Sequence, residues 1–317
     1  MKEKFELKVH ETDANTRIDK FLAFYFSKLS EERKELSCIT RSRIQKILDE
    51  REIFIDNKND FRKNYKLKTG NIISFCLQET ENKTLVAQDI KLDIIYEDND
   101  LLVVNKPQEM VVHPAPGHYD GTLANALFYH CKGNLSSVSG ALRLGIVHRI
   151  DKDTSGLLVV AKNNFAHINL AEQIRRHTFL RQYEAVVHFP FRVFSGKIEI
   201  PIGRDAKDRK KMAATFKNSK EAITYYEVLK NFEKFSHVRL VLKTGRTHQI
   251  RVHMSKIGHP LIGDKLYGYK TKKDKELSGQ CLHAKTISFV HPRTGKFFKF
   301  SSPLPEYFGI FLKSIRK

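Results

Sequence analysis

The chain has 317 residues, 41% of them hydrophobic, so it can bury the cores of a large domain and a small one without disulfide or metal support. Its first residues are charged, no run approaches the roughly 20 apolar residues that span a bilayer, and its four cysteines form no C-x-x-C pair. These features argue against a secretory signal, a membrane span, a disulfide framework and a cysteine zinc site. They predict a soluble, cytoplasmic protein.

The formal net charge is +20, and its distribution is uneven. Residues 201–317 contain 26 Lys and Arg against 9 Asp and Glu, whereas residues 78–200 contain 13 against 14. A generally lysine-rich composition would raise the charge of every segment, so the concentration indicates a polyanionic partner. Nucleic acid is favoured over a merely basic surface, and an anionic membrane is least favoured because no basic amphipathic anchor is present.

The N-terminal part of the chain predicts two helices followed by two short strands. Apolar residues between positions 17 and 29 recur at helical spacing, and Thr40 is a suitable cap for a second helix. Strands are predicted at 53–55 and 72–75. The second helix carries a basic face that is either a solvated surface or a set of phosphate contacts, formed by Arg41, Arg43 and Lys46.

Residues 78–90 are polar and without sustained periodicity, which predicts a linker. From residue 91 onward, short strands separated by turn residues outnumber helices, which predicts an α+β domain on a largely antiparallel sheet. Helices are predicted at about 122–130, 164–177 and 247–257. Strands are predicted at 94–96, 101–104, 156–161, 183–187, 238–242, 287–290 and 297–300.

A polar insert, HRIDKDTSG at 148–156, lies between two apolar runs. It is either a surface turn or a catalytic loop held by rigid strands. A kinase loop would place Asp directly after Arg, whereas Ile150 intervenes here, and Thr154-Ser155-Gly156 is not the elbow of a serine hydrolase. His248 and His253 lack the HEXXH pattern of a zinc pair. From these residues alone, a turn and an active site remain about equally good interpretations.

Three separated segments together narrow the choice. The segment HRIDKDTSGLLVVAKN (148–163) closely resembles the signature of RluA-type pseudouridine synthases, and LRQYEAV (180–186) and TGRTHQIRVH (244–253) resemble the second and third motifs of that family. Residues 15–77 resemble the alpha-L RNA-binding domain that also occurs in a small-subunit ribosomal protein. The resemblance implies an α+β chain with an alpha-L domain at 1–77, a linker at 78–90, and a synthase domain with a mixed, largely antiparallel sheet at 91–317.

Pseudouridine formation breaks the N1–C1′ bond of a uridine, turns the uracil and joins C5 to C1′. It requires an ionised carboxylate at the ribose, a pocket that retains the base, and an acceptor for the C5 proton. Asp151 is the expected nucleophile, acting either at C1′ or on the C2′ proton. By resemblance, Arg246 keeps Asp151 charged and Tyr183 stacks on the uracil and assists C5 deprotonation. Arg149 is expected to fill the vacated base stack or hold a flanking phosphate.

The predicted activity is therefore isomerisation of specific uridines, with no cofactor and no metal. The expected substrate is structured RNA, by resemblance the 23S RNA of the large ribosomal subunit, free or in an assembling particle, and the enzyme is expected to be a monomer that does not bind membranes. The alternatives are a tRNA pseudouridine synthase and a non-catalytic RNA-binding factor in ribosome assembly. The presence of Asp151, Tyr183 and Arg246 together weighs against the non-catalytic alternative.

Overall fold

A computed structural model describes residues 2–32, 44, 47–50, 52–62, 64–78, 84–115, 117–208 and 210–316. The chain divides into two compact units, Met1–Lys83 and Thr84–Lys317. None of the helices in the described ranges is both long enough and apolar enough to cross a membrane.

The N-terminal unit packs helix α1 against a small antiparallel sheet with the strand order β1-β3-β2. Phe26 of α1 and Phe5 and Phe75 of the sheet form the aromatic centre of its core. Three apolar residues of the predicted second helix are buried, whereas its basic residues Arg41, Arg43 and Lys46 lie outside the described residues. The elements are β1 (Lys2–Lys8), α1 (Ile18–Glu32), β2 (Ile53–Ile55) and β3 (Ile72–Gln78).

The C-terminal unit is built on one nine-stranded sheet, with the order β4-β5-β6-β14-β7-β13-β12-β8 and with β15 also paired to β14. Among the described strands only β6 and β14 pair in parallel, so the prediction of a mixed, largely antiparallel sheet is confirmed. A separate small sheet has the order β10-β9-β11. The strands are β4 (Ile94–Glu97), β5 (Leu101–Lys106), β6 (Ser155–Ala161), β7 (Leu180–His188), β8 (Ser195–Glu199), β9 (Ile202–Arg204), β10 (Met212–Ala214), β11 (Ser219–Lys220), β12 (Ile223–Asn231), β13 (Phe235–Leu242), β14 (Leu282–Val290) and β15 (Phe297–Ser301).

The apolar residues of the helices pack against the sheet and form part of its hydrophobic core. Thr122 and Asn163 cap two of them, each accepting a hydrogen bond from a backbone N–H of the first turn. A C-terminal helix was not predicted, because its apolar residues are interrupted by a glycine and follow two prolines. The helices are α2 (Leu123–His130), α3 (Asn164–Arg175), α4 (Gln249–Lys256) and α5 (Glu306–Ser314).

Strand β6 fixes the position of the 148–154 loop that precedes it. All seven of its residues are buried, so it lies in the middle of the sheet and its ends have little freedom to move. Gly156, with φ +117°, approaches β14 so closely that a Cβ there would lie 2.4 Å from the carbonyl oxygen of Ala284. A side chain at this position would separate the two parallel strands, so the glycine is required where the loop enters the sheet.

Candidate active site

A cavity of about 520 Å³ opens where the three sequence motifs meet. Its walls come from the 148–154 loop, the start of β7, and the segment from the end of β13 into α4. The structure brings together Asp151, Tyr183, Arg246 and Arg149, all of which line this cavity. Residues that are 95 positions apart in sequence therefore contribute to one site.

Asp151 is paired with an arginine that sequence reasoning did not select. Arg251 donates a hydrogen bond from Nη1 to Oδ2 of Asp151 at 3.0 Å. The other side of the same guanidinium donates to Asp264, from Nε to Oδ2 at 2.7 Å and from Nη2 to Oδ1 at 2.8 Å. Arg251 thus bridges two carboxylates, one that lines the cavity and one that is fully buried.

In this structure the arginine that contacts Asp151 is Arg251, whereas Arg246 contacts a backbone carbonyl. Arg246 lies in the turn before α4 and donates from Nε to the carbonyl oxygen of Glu221 at 2.9 Å. Arg251 lies inside α4, where its side chain is buried against the 148–154 loop. The two positions are five residues apart in one motif, so the resemblance alone did not separate the two roles.

The guanidinium of Arg251 keeps its charge although it is buried. Burial by itself would lower the pKa of Arg251, but the hydrogen bonds and charge of Asp264, together with the charge of Asp151, raise that pKa well above its usual value. The guanidinium is therefore a permanent positive charge next to Asp151. Tyr267 supports it from the side, with its ring centre 5.1 Å from the guanidinium carbon.

Tyr183 is buried, with 5% of its surface exposed, and its backbone pairs with Leu240 of β13. Burial raises the pKa of its phenol to about 12, and the charge of Asp151 adds to this while that of Arg181 opposes it. A phenol with such a pKa is almost entirely protonated at neutral pH and is a weak proton acceptor. Tyr183 therefore contributes a neutral phenol to the wall of the cavity.

Three residues that were not predicted hold the 148–154 loop from outside the cavity. Lys106, at the end of β5, donates from Nζ to the carbonyl oxygen of Lys152 at 2.9 Å and to two further carbonyls. Burial lowers the pKa of Lys106 to about 7, although the charges of Asp153 and Asp151 oppose this effect. The amides of Gln108 and Gln280 donate to the same loop, at the Asp153 carbonyl and the Thr154 hydroxyl.

His148 has a structural place beside the site. Its Nε2 accepts a hydrogen bond from the backbone N–H of Val159 at 3.0 Å, and its ring packs against Phe179. Burial, with a further contribution from Arg181, lowers the pKa of His148 to about 3, so the ring is neutral. It anchors the 148–154 loop to β6, whereas the adjacent Arg149 is exposed at the cavity wall.

His283 lies at the other end of the loop, where β6 begins. Its Nδ1 is 2.9 Å from the Ser155 hydroxyl and its Nε2 is 2.8 Å from that of Ser302. Burial lowers the pKa of His283 to about 4; the nearby Lys285 adds to this effect and Glu184 opposes it. The ring is therefore neutral in the folded state at the pH values at which an exposed histidine becomes protonated.

We expect His283 to make the fold sensitive to acid. Between pH 6.5 and pH 4 the unfolded chain binds a proton at this histidine that the folded chain excludes, so the stability present above pH 6.5 is lost as the pH falls towards 4. The shift corresponds to about 3 kcal/mol. Urea unfolding of His283→Gln between these pH values should show a flatter pH dependence than the wild type. His118→Gln, at an exposed position, is the control, and equal slopes for H283Q and wild type would contradict the prediction.

Two groups of side chains contain residue types that can bind a metal ion. Asp98, Asp100 and His291 lie within reach of one ion, but Asp100 already accepts two hydrogen bonds from Arg293 at 2.6 Å, and His291 bonds Asp98 at 2.8 Å. The second group is the pair of His248 and His253, in which both ring nitrogens of His253 have hydrogen-bond partners. These side chains form ordinary hydrogen-bond networks, and their donor atoms are already used.

The sequence and the fold of the chain are similar to those of known RNA pseudouridine synthases. Residues 100–256 match the family model described as RNA pseudouridylate synthase. An uncharacterized RNA pseudouridine synthase of Bacillus subtilis is 45% identical over 98% of both chains. Proteins named ribosomal large subunit pseudouridine synthase D are 47% identical in Zymomonas mobilis, over 72% of this chain and 74% of that one, and 45% identical in Pseudomonas aeruginosa, over 76% of both.

A solved structure, human RNA Pseudouridylate Synthase Domain Containing 1, superposes with a TM-score of 0.57 at 25% identity, covering 73% of this chain and 96% of that chain. The chain belongs to the RNA pseudouridylate synthase family. It is an enzyme of the RluA type, so the class predicted from the three motifs is confirmed.

Proposed function

We propose that the chain isomerises specific uridines of large-subunit (23S) ribosomal RNA, with Asp151 as the nucleophile. The observation that carries this proposal is the Asp151–Arg251–Asp264 arrangement, in which one guanidinium donates hydrogen bonds to a cavity-lining carboxylate and to a buried one. The shape of the site supports it further, because a cavity of about 520 Å³ is large enough to enclose a flipped nucleoside.

In this proposal Asp151 attacks C1′ of the ribose and displaces the uracil. Arg251 orients the attacking carboxylate and places a positive charge beside it. Tyr183 packs against the uracil and keeps it in the cavity while C5 turns towards C1′. Arg149, exposed at the wall, occupies the place that the flipped nucleotide leaves in the RNA. No step uses a metal or a cofactor.

Support for the ribosomal substrate comes from the two relatives named as large-subunit enzymes. We propose that residues 1–77 form an alpha-L RNA-binding domain joined by a linker at 78–90 to the catalytic domain at 91–317. In the alpha-L domain, Arg41, Arg43 and Lys46 would contact phosphates, which makes RNA binding dependent on salt. The substrate would be free rRNA or an assembling particle, bound in the cytoplasm by a monomeric enzyme.

The proposal is tested by incubating the enzyme with uridine-labelled 23S RNA and measuring pseudouridine. We expect Asp151→Asn, which keeps the side-chain shape but removes the nucleophile, to lower the rate by at least about 10⁴-fold. Asp93→Asn is a matched control, because Asp93 is outside the cavity and accepts a hydrogen bond from Asn105. Equal activity of D151N and wild type would refute the nucleophile, and product in tRNA but not in 23S RNA would refute the substrate.

A further inference from the structure

Arg181 lies in the wall of the active-site cavity and has no part in the interactions described above. It precedes Tyr183 by two residues on β7, so both side chains point to the same face of the sheet. Only 6% of its surface is exposed. A guanidinium so deeply buried normally has a carboxylate or several hydrogen-bond acceptors around it.

Within the described part of the chain, Arg181 has neither. No hydrogen bond or ion pair involves its side chain, and its Nε is a buried donor without an acceptor. Burial lowers the pKa of Arg181, while Tyr183 opposes this effect. By contrast, the guanidinium of Arg251, buried in the same cavity wall, makes three hydrogen bonds to two carboxylates.

The fold makes room for this unpaired charge. The guanidinium lies against Gly245, where a Cβ would be 2.5 Å from Nη1 of Arg181. Any other residue at position 245 would displace the arginine. The third motif (244–253) therefore contributes to the site in two ways: Gly245 leaves space for Arg181, and Arg251 contacts Asp151. A buried charge without a partner costs several kcal/mol, so its retention beside the reacting residues indicates a partner that arrives with the substrate.

The reaction itself produces a suitable partner. When Asp151 bonds to C1′, the N1–C1′ electron pair moves to N1 and the uracil becomes an anion. The anion persists until C5 bonds to C1′ and the bond between C1′ and Asp151 breaks. Loss of the proton from C5 and gain of one at N1 then give neutral pseudouridine, so atoms and charges balance. The charge on the detached base requires a cation that is not already neutralised by protein carboxylates.

We propose that Arg181 is a catalytic residue that stabilises the negative charge of the detached uracil. This role rests on the proposed attack of Asp151 on C1′. Arg251 is unsuited to it because Asp151 and Asp264 already share its charge. Arg149 and Arg175 are exposed, so water screens them, whereas a cation preorganised in a water-poor site interacts more strongly with charge that develops during a reaction.

The first test is Arg181→Met, which preserves the length of the side chain and removes its charge. In single-turnover assays on 23S RNA, we expect the rate to fall by about 10²- to 10³-fold. We expect the Kd for RNA to change by less than about threefold, because the cation acts on charge formed after binding. The free energy of unfolding should not decrease, since a buried unpaired charge is removed. Arg181→Lys should restore part of the rate.

Arg239→Met is the matched control, because Arg239 lies on the neighbouring strand β13 and pairs with Glu227 outside the cavity. Its rate should stay near that of the wild type. If R181M instead weakened RNA binding and lowered its salt dependence without slowing the single-turnover rate, Arg181 would be a phosphate contact and the proposal would be wrong.

The second test changes the leaving base. Fluorine at C5 withdraws electrons, so detached 5-fluorouracil carries its charge more easily and depends less on a cation. The ratio of the wild-type rate to the R181M rate for cleavage of the N1–C1′ bond should therefore be about tenfold smaller with 5-fluorouridine in the RNA than with uridine. Equal ratios on both substrates would overturn the role of Arg181. Full activity of D151N would instead refute the proposed attack by Asp151, whatever R181M does.

Discussion

Replacing Arg251 with methionine should lower the rate of pseudouridine formation by about 10³-fold or more, whereas the same replacement of Arg246 should have a much smaller effect. Both arginines line the cavity, but only Arg251 contacts Asp151. Without this guanidinium, Asp151 loses the hydrogen bond that orients it and the positive charge beside it. Arg246 would lose a hydrogen bond to a backbone carbonyl.

Single-turnover rates of R251M and R246M on the same RNA measure this difference, once circular dichroism has shown that both variants are folded. Arg251→Lys provides an intermediate case, because it retains the charge but lacks the planar fork that bridges two carboxylates. A larger loss in R246M than in R251M would show that the contact between Arg251 and Asp151 is not the one that matters in the substrate complex.

Much of the fold could be predicted because each element carries its own periodic signal. Strand β2 was predicted with its observed bounds, and α2 and α4 within two residues at each end. Strands β1, β8 and β12 were missed, and so were the short strands β9, β10 and β11, which lack the apolar character of Ile53-Phe54-Ile55. The order of the strands in the sheet could not be predicted from the sequence, since it depends on which distant apolar surfaces pack together.

The site was predictable to the extent that its residues lie in contiguous motifs. Asp151, Tyr183 and Arg149 were placed in one cavity by agreement among three segments. The contact of Arg251 with Asp151 could not be recognised, because it depends on how α4 is turned towards the 148–154 loop. One available signal was Asp264, because a carboxylate that follows the apolar pair Leu261 and Ile262 requires a partner if it is buried, and Arg251 is that partner.

Almost nothing in the sequence indicated the residues that support the site from outside the cavity. Lys106 follows an apolar strand and precedes a proline, so it could be taken for the first residue of an exposed turn. It is instead among the largest fully buried side chains, and it bonds to a loop residue 46 positions away. The isolation of Arg181 from any counter-charge is likewise a property of the folded cavity rather than of the motif that contains it.

The ion pair between Arg251 and Asp264 should show strong coupling in stability. Asp264→Asn can keep the carbonyl oxygen that accepts hydrogen bonds from the backbone N–H groups of Leu266 and Tyr267. It nevertheless removes the charge that Arg251 needs, and we expect a loss of about 3 kcal/mol in the free energy of unfolding. R251M should lose about 3 to 5 kcal/mol, because it leaves a buried carboxylate unpaired.

The double variant R251M/D264N retains neither buried charge of this pair, so its loss should be smaller than the sum of the two single losses by at least about 1 kcal/mol. Urea unfolding of the four proteins gives this coupling directly. Simple additivity would mean that Asp264 is stabilised by the turn at Leu266 and Tyr267 and contributes little to holding Arg251. The orientation of Asp151 would then depend on Arg251 alone, and D264N should retain the wild-type rate. Coupling with a slow D264N would instead identify Asp264 as the residue that positions Arg251.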